Sequence, residues 1–216
     1  MFDLMNYEQG IHPDCGKIVE IEKDIIITPF YTEAYCDALV ELSKFYDDKF
    51  EQYIRYMSRS GDSSNNSPWN TLFFSRISQL LFEDFCCHYK KYLVPAIEMN
   101  FEKGLSPING WFSPFIIKYD QPEQMVNLHN DHSLFTMNVK LNTDFKGSEL
   151  VFPRQEWSNK DIPKGWCFLW PSDVTHPHQS KPLISGVKYT LASWTHPCIW
   201  NPNDNGGSIY STDVKI

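Results

Sequence analysis

Short apolar segments separated by turn residues make up most of the chain from position 111 onward. The segments WFSPFIIKYD, LFTMNVKLN, SELVF, GWCFLW and VKYTLASWTH are rich in aromatic and β-branched residues, and Gly, Pro, Asn and Asp lie between them. This pattern is typical of antiparallel strands in one sandwich or barrel. An aromatic content of 15% favours the same architecture, because large rings fill the space between pleated sheets. The sequence therefore predicts a mainly β fold.

The first part of the chain predicts a strand and two helices that support this sheet. Residues 21–30 contain a β-branched run closed by proline, and a helix is expected over 31–46 with Thr32 as its N-cap. Apolar residues at helical spacing predict a second amphipathic helix over 71–93, with Pro95 near its end.

A length of 216 residues and a mass of 25.3 kDa suit one domain with a well-buried core. We expect a single domain over 1–216, with the strand and supporting helices in 1–110, the β core in 111–200 and a loosely attached tail in 201–216. The segment 58–70, rich in Ser, Asn and Gly, predicts an exposed loop, either disordered or covering a site.

Charge and composition narrow the possible partners. A formal net charge of −8 and the lack of clustered Lys and Arg argue against nucleic-acid binding, and they favour a cationic substrate. The N-terminus lacks a signal-peptide pattern and no apolar run approaches the roughly 20 residues that span a bilayer, so the expectation is a cytoplasmic protein without a membrane partner. The sequence is compatible with a homodimer.

Six cysteines without a CxxC pair predict reduced thiols, with Cys86 and Cys87 as small core residues.

The stretch NLHNDHSLFT places His129 and Asp131 one residue apart. In an extended segment their side chains point to the same side and can share one ion. A third ligand is available from the HPH motif, as His176 or His178, which have the same strand parity. Two imidazoles and one carboxylate on one face of an octahedral ion form the triad of non-haem Fe(II) oxygenases, although these donors do not exclude Mn or Zn.

A basic residue completes this pattern. Lys188 stands ten residues after His178, inside GVKYTLASW. From this position a cation can reach a dianionic cosubstrate such as 2-oxoglutarate, whose 1-carboxylate and 2-keto oxygens chelate the metal while its distal carboxylate needs a charged hydrogen-bond donor.

These motifs resemble a known family. The stretch FIIKYDQPEQMVNLHNDHSLFTMNVKLN, followed by GSELVF and GWCFLWPSDVTHPHQSKPLISGVKYTLASW, closely resembles the catalytic domain of collagen lysyl hydroxylases, in the prolyl/lysyl hydroxylase group of 2-oxoglutarate, Fe(II)-dependent dioxygenases. The strong part covers about 115–196, and a weaker likeness lies in DIIITPFYTEAYCDALVEL. The resemblance implies a double-stranded β-helix, or jelly roll, with N-terminal supporting helices.

The resemblance also implies roles for individual residues. It assigns His129, Asp131 and His178 as iron ligands, Lys188 as the partner of the distal carboxylate and Tyr119 as a residue that lines the cosubstrate pocket. The lysyl members of the family carry arginine where this chain has Lys188, whereas lysine serves in related prolyl hydroxylases. This departure puts the substrate in doubt more than the cosubstrate.

The remaining polar residues of the motifs are assigned less directly. His178 is preferred to His176 because it has the family's ten-residue spacing to the basic residue. Strand alternation turns Asn138 toward the same interior as the metal, so we expect it in the cosubstrate pocket. His132 and His196 have no matched role, and a structural role is expected for each.

The resemblance implies an enzyme that uses Fe(II), O2 and 2-oxoglutarate, with ascorbate as an optional addition, and that releases succinate and CO2 as it hydroxylates an amino-acid side chain. The predicted substrate is lysine in a peptide or protein, and a free amino acid or peptidyl proline are the alternatives. Two other classes are a zinc hydrolase, for which no HExxH motif is present, and a non-catalytic jelly-roll module, which would be expected to lack a ligand or the cation.

Overall fold

Antiparallel sheets and a group of helices form the part of the chain that the computed structural model describes, residues 10–54, 70–101 and 111–196. The predicted tail at 201–216 lies outside the described residues. The predicted loop at 58–70 also lies outside them, apart from Asn70, which begins a strand.

The helices are α1 (Glu33–Ile54), α2 (Phe74–Ile77), α3 (Gln79–His88) and α4 (Val94–Asn100), with a π-helical segment (Tyr89–Leu93) between the last two. The strands are β1 (Glu20–Glu22), β2 (Ile25–Pro29), β3 (Asn70–Phe73), β4 (Trp111–Tyr119), β5 (Val126–His129), β6 (Phe135–Lys140), β7 (Phe145–Gly147), β8 (Leu150–Phe152), β9 (Trp157–Ser158), β10 (Trp166–Pro171), β11 (His178–Ser180), β12 (Leu183–Gly186) and β13 (Lys188–His196).

The strands are arranged as a jelly roll. The major sheet has the order β1-β2-β10-β6-β13-β4-β3, the minor sheet has the order β5-β11-β8-β9, and β12 pairs with β7. Neighbouring strands in all three sheets are antiparallel. The prediction of a mainly β fold with supporting helices is therefore confirmed. The major sheet also takes β1, β2 and β3 from the region before residue 111.

Strand alternation gives the major sheet one apolar face and one face toward the minor sheet. On β6, Phe135, Met137 and Val139 are fully buried in the same core cluster as helix residues such as Phe85 and Ile97. Burying each such side chain stabilises the fold by about 1.5–3 kcal/mol, before the entropy cost of ordering it. The residues between them on β6 face the opposite way, into the space between the sheets.

A second apolar cluster fills part of that inter-sheet space. Ile27, Phe168 and Trp170 come from the major sheet, and Phe152 comes from the minor sheet. The rings of Phe168 and Trp170 are stacked with centroids 5.5 Å apart, and Phe152 lies edge-on to Trp170 at 5.0 Å. This cluster joins the two sheets and leaves polar residues to line the remaining interior.

The prediction of a helix over 71–93 is wrong at the start of this range. Residues 70–73 form β3 because they pair with β4, at the edge of the major sheet. The helix also does not end near Pro95, since Pro95 occupies the first turn of α4, where no intrahelical N–H is needed. The π-helical turn just before it provides the transition.

The other predicted local features have mixed outcomes. The Thr32 hydroxyl accepts a hydrogen bond from the backbone N–H of Tyr35, as an N-cap should, but α1 runs beyond the predicted end at residue 46. Cys86 is buried as predicted, whereas Cys87 is exposed, and each cysteine among the described residues is a free thiol. None of the described helices is long and apolar enough to cross a membrane.

The backbone at Gly165 yields a test of the fold. Gly165 has φ +79°, its carbonyl accepts hydrogen bonds from Phe30 and Tyr31, and an added Cβ would lie 2.3 Å from the Tyr31 oxygen. Gly165→Ala should therefore lower the free energy of unfolding by about 1–3 kcal/mol, measured by urea denaturation. Ser185→Ala, at an exposed position, is the control and should change it by less than about 0.5 kcal/mol. Equal stability of the two variants would contradict this account.

Candidate functional site

Three side chains that can bind a metal meet at one end of the minor sheet. His129 ends β5 and His178 begins β11, and the antiparallel register places these two residues opposite each other. Asp131 follows β5 directly. Its Oδ1 lies 3.4 Å from His129 Nε2, and its Oδ2 lies 3.4 Å from His178 Nε2. One ligand atom from each of the three residues lies within 4.8 Å of the others.

Backbone carbonyls orient both imidazoles. His129 Nδ1 lies 2.7 Å from the Asn127 carbonyl oxygen, and His178 Nδ1 lies 3.0 Å from the His176 carbonyl oxygen. Because a carbonyl can only accept, each Nδ1 donates the hydrogen bond. In the neutral imidazole this leaves the lone pair on Nε2, which faces Asp131.

Asp131 is held by a chain of hydroxyl groups. The Thr136 hydroxyl donates to Oδ2 at 2.7 Å. Ser133 Oγ lies 3.0 Å from the Thr136 hydroxyl and 2.7 Å from Ser172 Oγ. The three hydroxyl residues, which are buried, connect Asp131 to the ends of β6 and β10. The carboxylate is therefore fixed in one orientation before a metal binds.

The protonation states suit metal binding. Burial raises the pKa of the Asp131 carboxyl, but its contacts with His129 and His178 outweigh burial and hold the pKa below its ordinary value. Burial lowers the pKa of the His178 imidazole. At neutral pH the group therefore offers one carboxylate and a neutral His178 ring. Two imidazoles and a carboxylate without thiolate are the donors of an Fe(II) triad, so the residues fit the ion.

Aromatic side chains surround the buried histidine. Phe152 lies 5.3 Å from the His178 ring centroid, and Trp170 lies 5.1 Å from it at an interplanar angle of 75°. His178 is almost fully buried, whereas the side chain of His129 is 37% exposed. The site is therefore shielded from solvent on the His178 side and open to solvent on the His129 side.

His176 is separate from this group. It is buried, with Nδ1 2.8 Å from the Thr175 hydroxyl and Nε2 3.1 Å from the Lys23 carbonyl oxygen. Both ring nitrogens are thus used in structural hydrogen bonds. The structure places His178 with the other two candidate ligands, as the sequence analysis prefers. His132 is fully exposed, and its Nδ1 lies 4.0 Å from an Asp173 carboxylate oxygen.

Lys188 and Tyr119 form a second polar group in the interior. They are opposite each other in the register of β13 and β4. Lys188 Nζ donates to the Ser148 carbonyl at 2.6 Å and lies 3.3 Å from the Ser148 hydroxyl. It also lies 4.6 Å from the centroid of the Tyr119 ring, a cation–π geometry. Lys188 forms no ion pair with a carboxylate of the described residues.

Burial makes the charge of Lys188 costly. Desolvation, followed by repulsion from Lys140, lowers the pKa of Lys188 to about 7, while attraction to Glu149 opposes the change. An anion next to Nζ would offset this cost. The position is therefore suited to a carboxylate supplied by a ligand.

Tyr119 and two serines surround the same amine. The Tyr119 hydroxyl is hydrogen-bonded to Ser180, and burial raises its pKa to about 12, so it remains protonated. Ser180 Oγ lies 3.2 Å from Ser148 Oγ. Ser180 is two residues after His178 on β11, a step of about 7 Å along a strand. The amine and hydroxyl groups thus lie within a short dicarboxylate's reach of the candidate metal ligands.

Asn138 lies on the inter-sheet face, as alternation predicts. It is buried on β6, two residues after Thr136, and its side-chain oxygen accepts a hydrogen bond from the Thr190 hydroxyl. Its register partners are Phe168 on β10 and Ala192 on β13. Asn138 therefore lines the interior between the candidate metal group and Lys188.

Several residues of the site escape analysis of the sequence. Thr136, Ser133 and Ser172 support Asp131, and Ser148 and Ser180 contact the cation and its neighbours. Serine and threonine carry no spacing signal of their own. The available signal was strand parity for Thr136, which shares the inward face of β6 with Asn138.

Comparison with known proteins supports the resemblance seen in the motifs. The chain is 29% identical over 184 residues to procollagen-lysine,2-oxoglutarate 5-dioxygenase 2 of Mus musculus, which covers 81% of the chain and 24% of the relative. It is 30% identical over 203 residues to procollagen-lysine,2-oxoglutarate 5-dioxygenase 1 of the same species, and this match covers 89% of the chain and 26% of the relative. The chain thus spans about a quarter of the length of these relatives. No family model matches it.

Solved structures show the same fold. Viral collagen prolyl hydroxylase of Paramecium bursaria Chlorella virus-1, in its 2-oxoglutarate complex, matches with a TM-score of 0.56 at 18% identity, over 80% of this chain and 95% of that one. A prolyl-4-hydroxylase of Pseudomonas putida matches with a TM-score of 0.56 at 16% identity, over 86% of this chain and 95% of that one. The likeness to the lysyl hydroxylases in sequence and to the prolyl hydroxylases in fold is therefore confirmed.

The two neighbouring histidines give a direct test of the metal group. His178→Ala should weaken binding of Mn²⁺, used as a redox-stable probe, by at least about 100-fold, because it removes one of three protein ligands. His176→Ala removes only structural hydrogen bonds and should retain binding within about threefold while losing about 1–3 kcal/mol of stability. Calorimetric titration and urea denaturation measure the two effects. Loss of binding in His176→Ala with retention in His178→Ala would reverse the assignment.

The buried amine gives a test that needs no ligand. Lys188→Met keeps most of the side-chain volume and removes the charge. Because the pKa of Lys188 is lower in the folded protein than the ordinary 10.5, the folded state binds fewer protons between pH 7 and 10.5, and stability rises with pH across that window. Lys188→Met should therefore be more stable than the parent at pH 7, by about 1–4 kcal/mol. This advantage should shrink toward pH 10. A parent protein that is more stable at pH 7 would contradict a costly buried charge.

Proposed function

We propose that this chain is a 2-oxoglutarate- and Fe(II)-dependent dioxygenase that hydroxylates a lysine side chain in a peptide or protein and converts 2-oxoglutarate to succinate and CO2. The observation that carries the proposal is the presence of a His, Asp, His group and a buried cation in one interior, where the cation contacts Ser148, Ser148 contacts Ser180, and Ser180 lies two residues after the ligand His178 on β11. The similarity to procollagen-lysine,2-oxoglutarate 5-dioxygenases supports the same chemistry.

His129, Asp131 and His178 are the residues that would hold Fe(II), and when bound the ion supplies the activation of O2. Three ligands on one face leave the opposite face for cosubstrate and O2. The carbonyls of Asn127 and His176 keep the imidazoles in the ligating tautomer. These fixed orientations reduce the reorganisation needed on binding.

Lys188, Tyr119 and Ser180 would bind the cosubstrate's distal carboxylate. Lys188 supplies charge, and the tyrosine and serine hydroxyls supply hydrogen bonds in a site from which water is largely excluded. Charge-assisted hydrogen bonds of this kind are about twice as strong as neutral ones. Phe152 and Trp170 limit water on the His178 side, which strengthens these interactions.

A cationic side chain is the proposed substrate because the chain has a net charge of −8 and its relatives are named as procollagen-lysine dioxygenases. Peptidyl proline is the second candidate. Lys188 favours it, because the lysyl members of the family that the motifs resemble carry arginine at this position. Hydroxylation of a free amino acid is a third candidate. A cytoplasmic location, a homodimer and the absence of nucleic-acid and membrane partners remain predictions.

The alternatives outside oxygenase chemistry have less support. A non-catalytic jelly-roll module would be expected to lack a ligand or the cation, and all four side chains are present in the structure at compatible positions. A zinc hydrolase needs a general base aimed at metal-bound water. The hydroxyl chain that ends at Thr136 supports Asp131 and supplies no such base.

Product analysis tests the function. Protein loaded with Fe(II) without oxygen should, when given O2 and 2-oxoglutarate, add 16 mass units to a lysine-containing peptide and form succinate in equal amount. Free lysine, a proline peptide and a norleucine peptide are tested in parallel, and a site that binds an ammonium group should reject norleucine strongly. Turnover of the proline peptide alone would select the second candidate. No product from any substrate, with no succinate, would reject the oxygenase.

The pKa of Lys188 predicts a pH dependence of cosubstrate binding. In the free protein the pKa is about 7, and binding of a carboxylate requires the charged amine. The Kd of 2-oxoglutarate should therefore rise above pH 7, approaching tenfold per pH unit. Lys188→Arg keeps its charge at every pH, so its Kd should be nearly constant between pH 7 and 9. Tryptophan fluorescence of the Mn²⁺-loaded proteins measures both. Identical pH profiles would show that another group controls binding.

A further inference from the structure

A cavity of about 360 Å³ opens beside Lys188. We call it the lysine cavity, because Lys140, Lys146, Lys160 and Lys188 line it together with a single acidic residue, Glu149. The three candidate metal ligands are not among its lining residues. It is therefore a feature separate from the metal group, and Lys188 is one of the residues that line it.

The strand register places the lysine cavity at the far end of the inter-sheet space. Thr136 hydrogen-bonds the candidate ligand Asp131, and Lys140 lies four residues further along β6, on the same face, about 13 Å away. Thr190 on β13 is the register partner of Lys140 on β6, and it also lines the cavity. The cavity thus reaches the interior from the end opposite to the metal group.

The charge of the cavity contrasts with that of the whole chain. Four lysines face one glutamate, although the chain has a formal net charge of −8. Lys140 is half-buried, and burial lowers its pKa despite attraction to Asp161 and Glu149. Its Nζ donates to the Lys160 carbonyl at 3.0 Å, which leaves further N–H groups for other acceptors. The cavity therefore has an excess of donors and positive charge.

We propose that the lysine cavity is an anion-capture site through which a dicarboxylate cosubstrate reaches Lys188. The inference rests on the proposed function and adds a route to it. Lys188 is only 5% exposed, and the cavity is an opening that touches it. A volume of about 360 Å³ lies at the lower end of the roughly 300–1,000 Å³ of small-molecule pockets, which suits a five-carbon diacid.

Electrostatics explains why such a site is needed. A dianion approaching a protein of charge −8 is repelled on average. A concave surface that concentrates one sign of charge raises the local concentration of the opposite ion and can increase association rates by about 10–1,000-fold. Lys146 and Lys160 are exposed at the cavity, where they can act before the ligand reaches the buried amine.

The proposed route separates cosubstrate from peptide. The metal group is accessible on the side of His129, whose side chain is 37% exposed and does not line the lysine cavity. A peptide bound there leaves the lysine cavity open. Bound peptide should consequently slow the association of 2-oxoglutarate by less than about twofold, within the range that rim contacts produce.

The test measures association rates, not turnover. Stopped-flow tryptophan fluorescence follows 2-oxoglutarate binding to the Mn²⁺-loaded protein at low and high salt. Lys146→Glu and Lys160→Glu should each lower the association rate constant at least about fivefold at low salt, and the difference should largely disappear at high salt. Lys17→Glu changes an exposed lysine outside the cavity by the same charge and should alter the rate less than about twofold.

The outcomes separate the route from the function. Circular dichroism first confirms that the three variants, all at exposed positions, are folded. If wild-type protein binds 2-oxoglutarate and the two cavity variants behave like Lys17→Glu, the capture site is overturned while the proposed function stands. If bound peptide blocks association, the separate route is overturned as well. If the wild type binds no 2-oxoglutarate, both proposals fail.

Discussion

The pairing of β5 with β11 is the constraint on which the site depends. It places His129 opposite His178, although 48 residues of chain separate them. Because β11 also pairs with β8, the second histidine is fixed from both sides of its strand. Asp131 needs only the turn after β5 to join them. A shift of one residue in this register would turn one imidazole to the opposite face and separate the group.

The interior of the jelly roll combines stabilising and costly regions. The cluster of Phe152, Phe168 and Trp170 joins the two sheets by apolar contact. Asp131 is close to this cluster through His178, and its contacts with the two histidines outweigh the cost of burying its charge. The burial of Lys188 costs free energy that its carbonyl and hydroxyl contacts offset only in part. The apolar contacts hold the two sheets together, and this stability supports the polar side chains buried between them.

How far the sequence predicts this arrangement depends on how local each signal is. The spacing of His129 and Asp131, and the inward parity of Asn138, follow from strand geometry alone, and the structure places all three as expected. Parity could not separate His178 from His176, because the distinction lies in which carbonyl and hydroxyl groups surround each ring. Resemblance to a family supplied what geometry lacked.

The errors arise where tertiary contacts override local pattern. Residues 71–73 have helical spacing but form part of β3, because the edge of β4 offers unpaired backbone groups. Ser148 reaches Lys188 from 40 positions away, a contact with no sequence signal. The substrate is less predictable still, since it depends on the rim of the site and not on the strands that build it.

The turn between β7 and β8 has a consequence for how ligands are recognised. Gly147 and Ser148 both have left-handed backbone angles, with φ of +78° and +59°, and a Cβ on Gly147 would lie 2.4 Å from the Pro182 oxygen. This conformation directs the Ser148 carbonyl onto the amine of Lys188. The Ser148 carbonyl accepts one of the three N–H groups of the ammonium and keeps a flexible four-carbon side chain pointed inward. The turn therefore orients the amine in advance, so that its remaining N–H groups can serve an anion without a search through the rotamers of a long side chain.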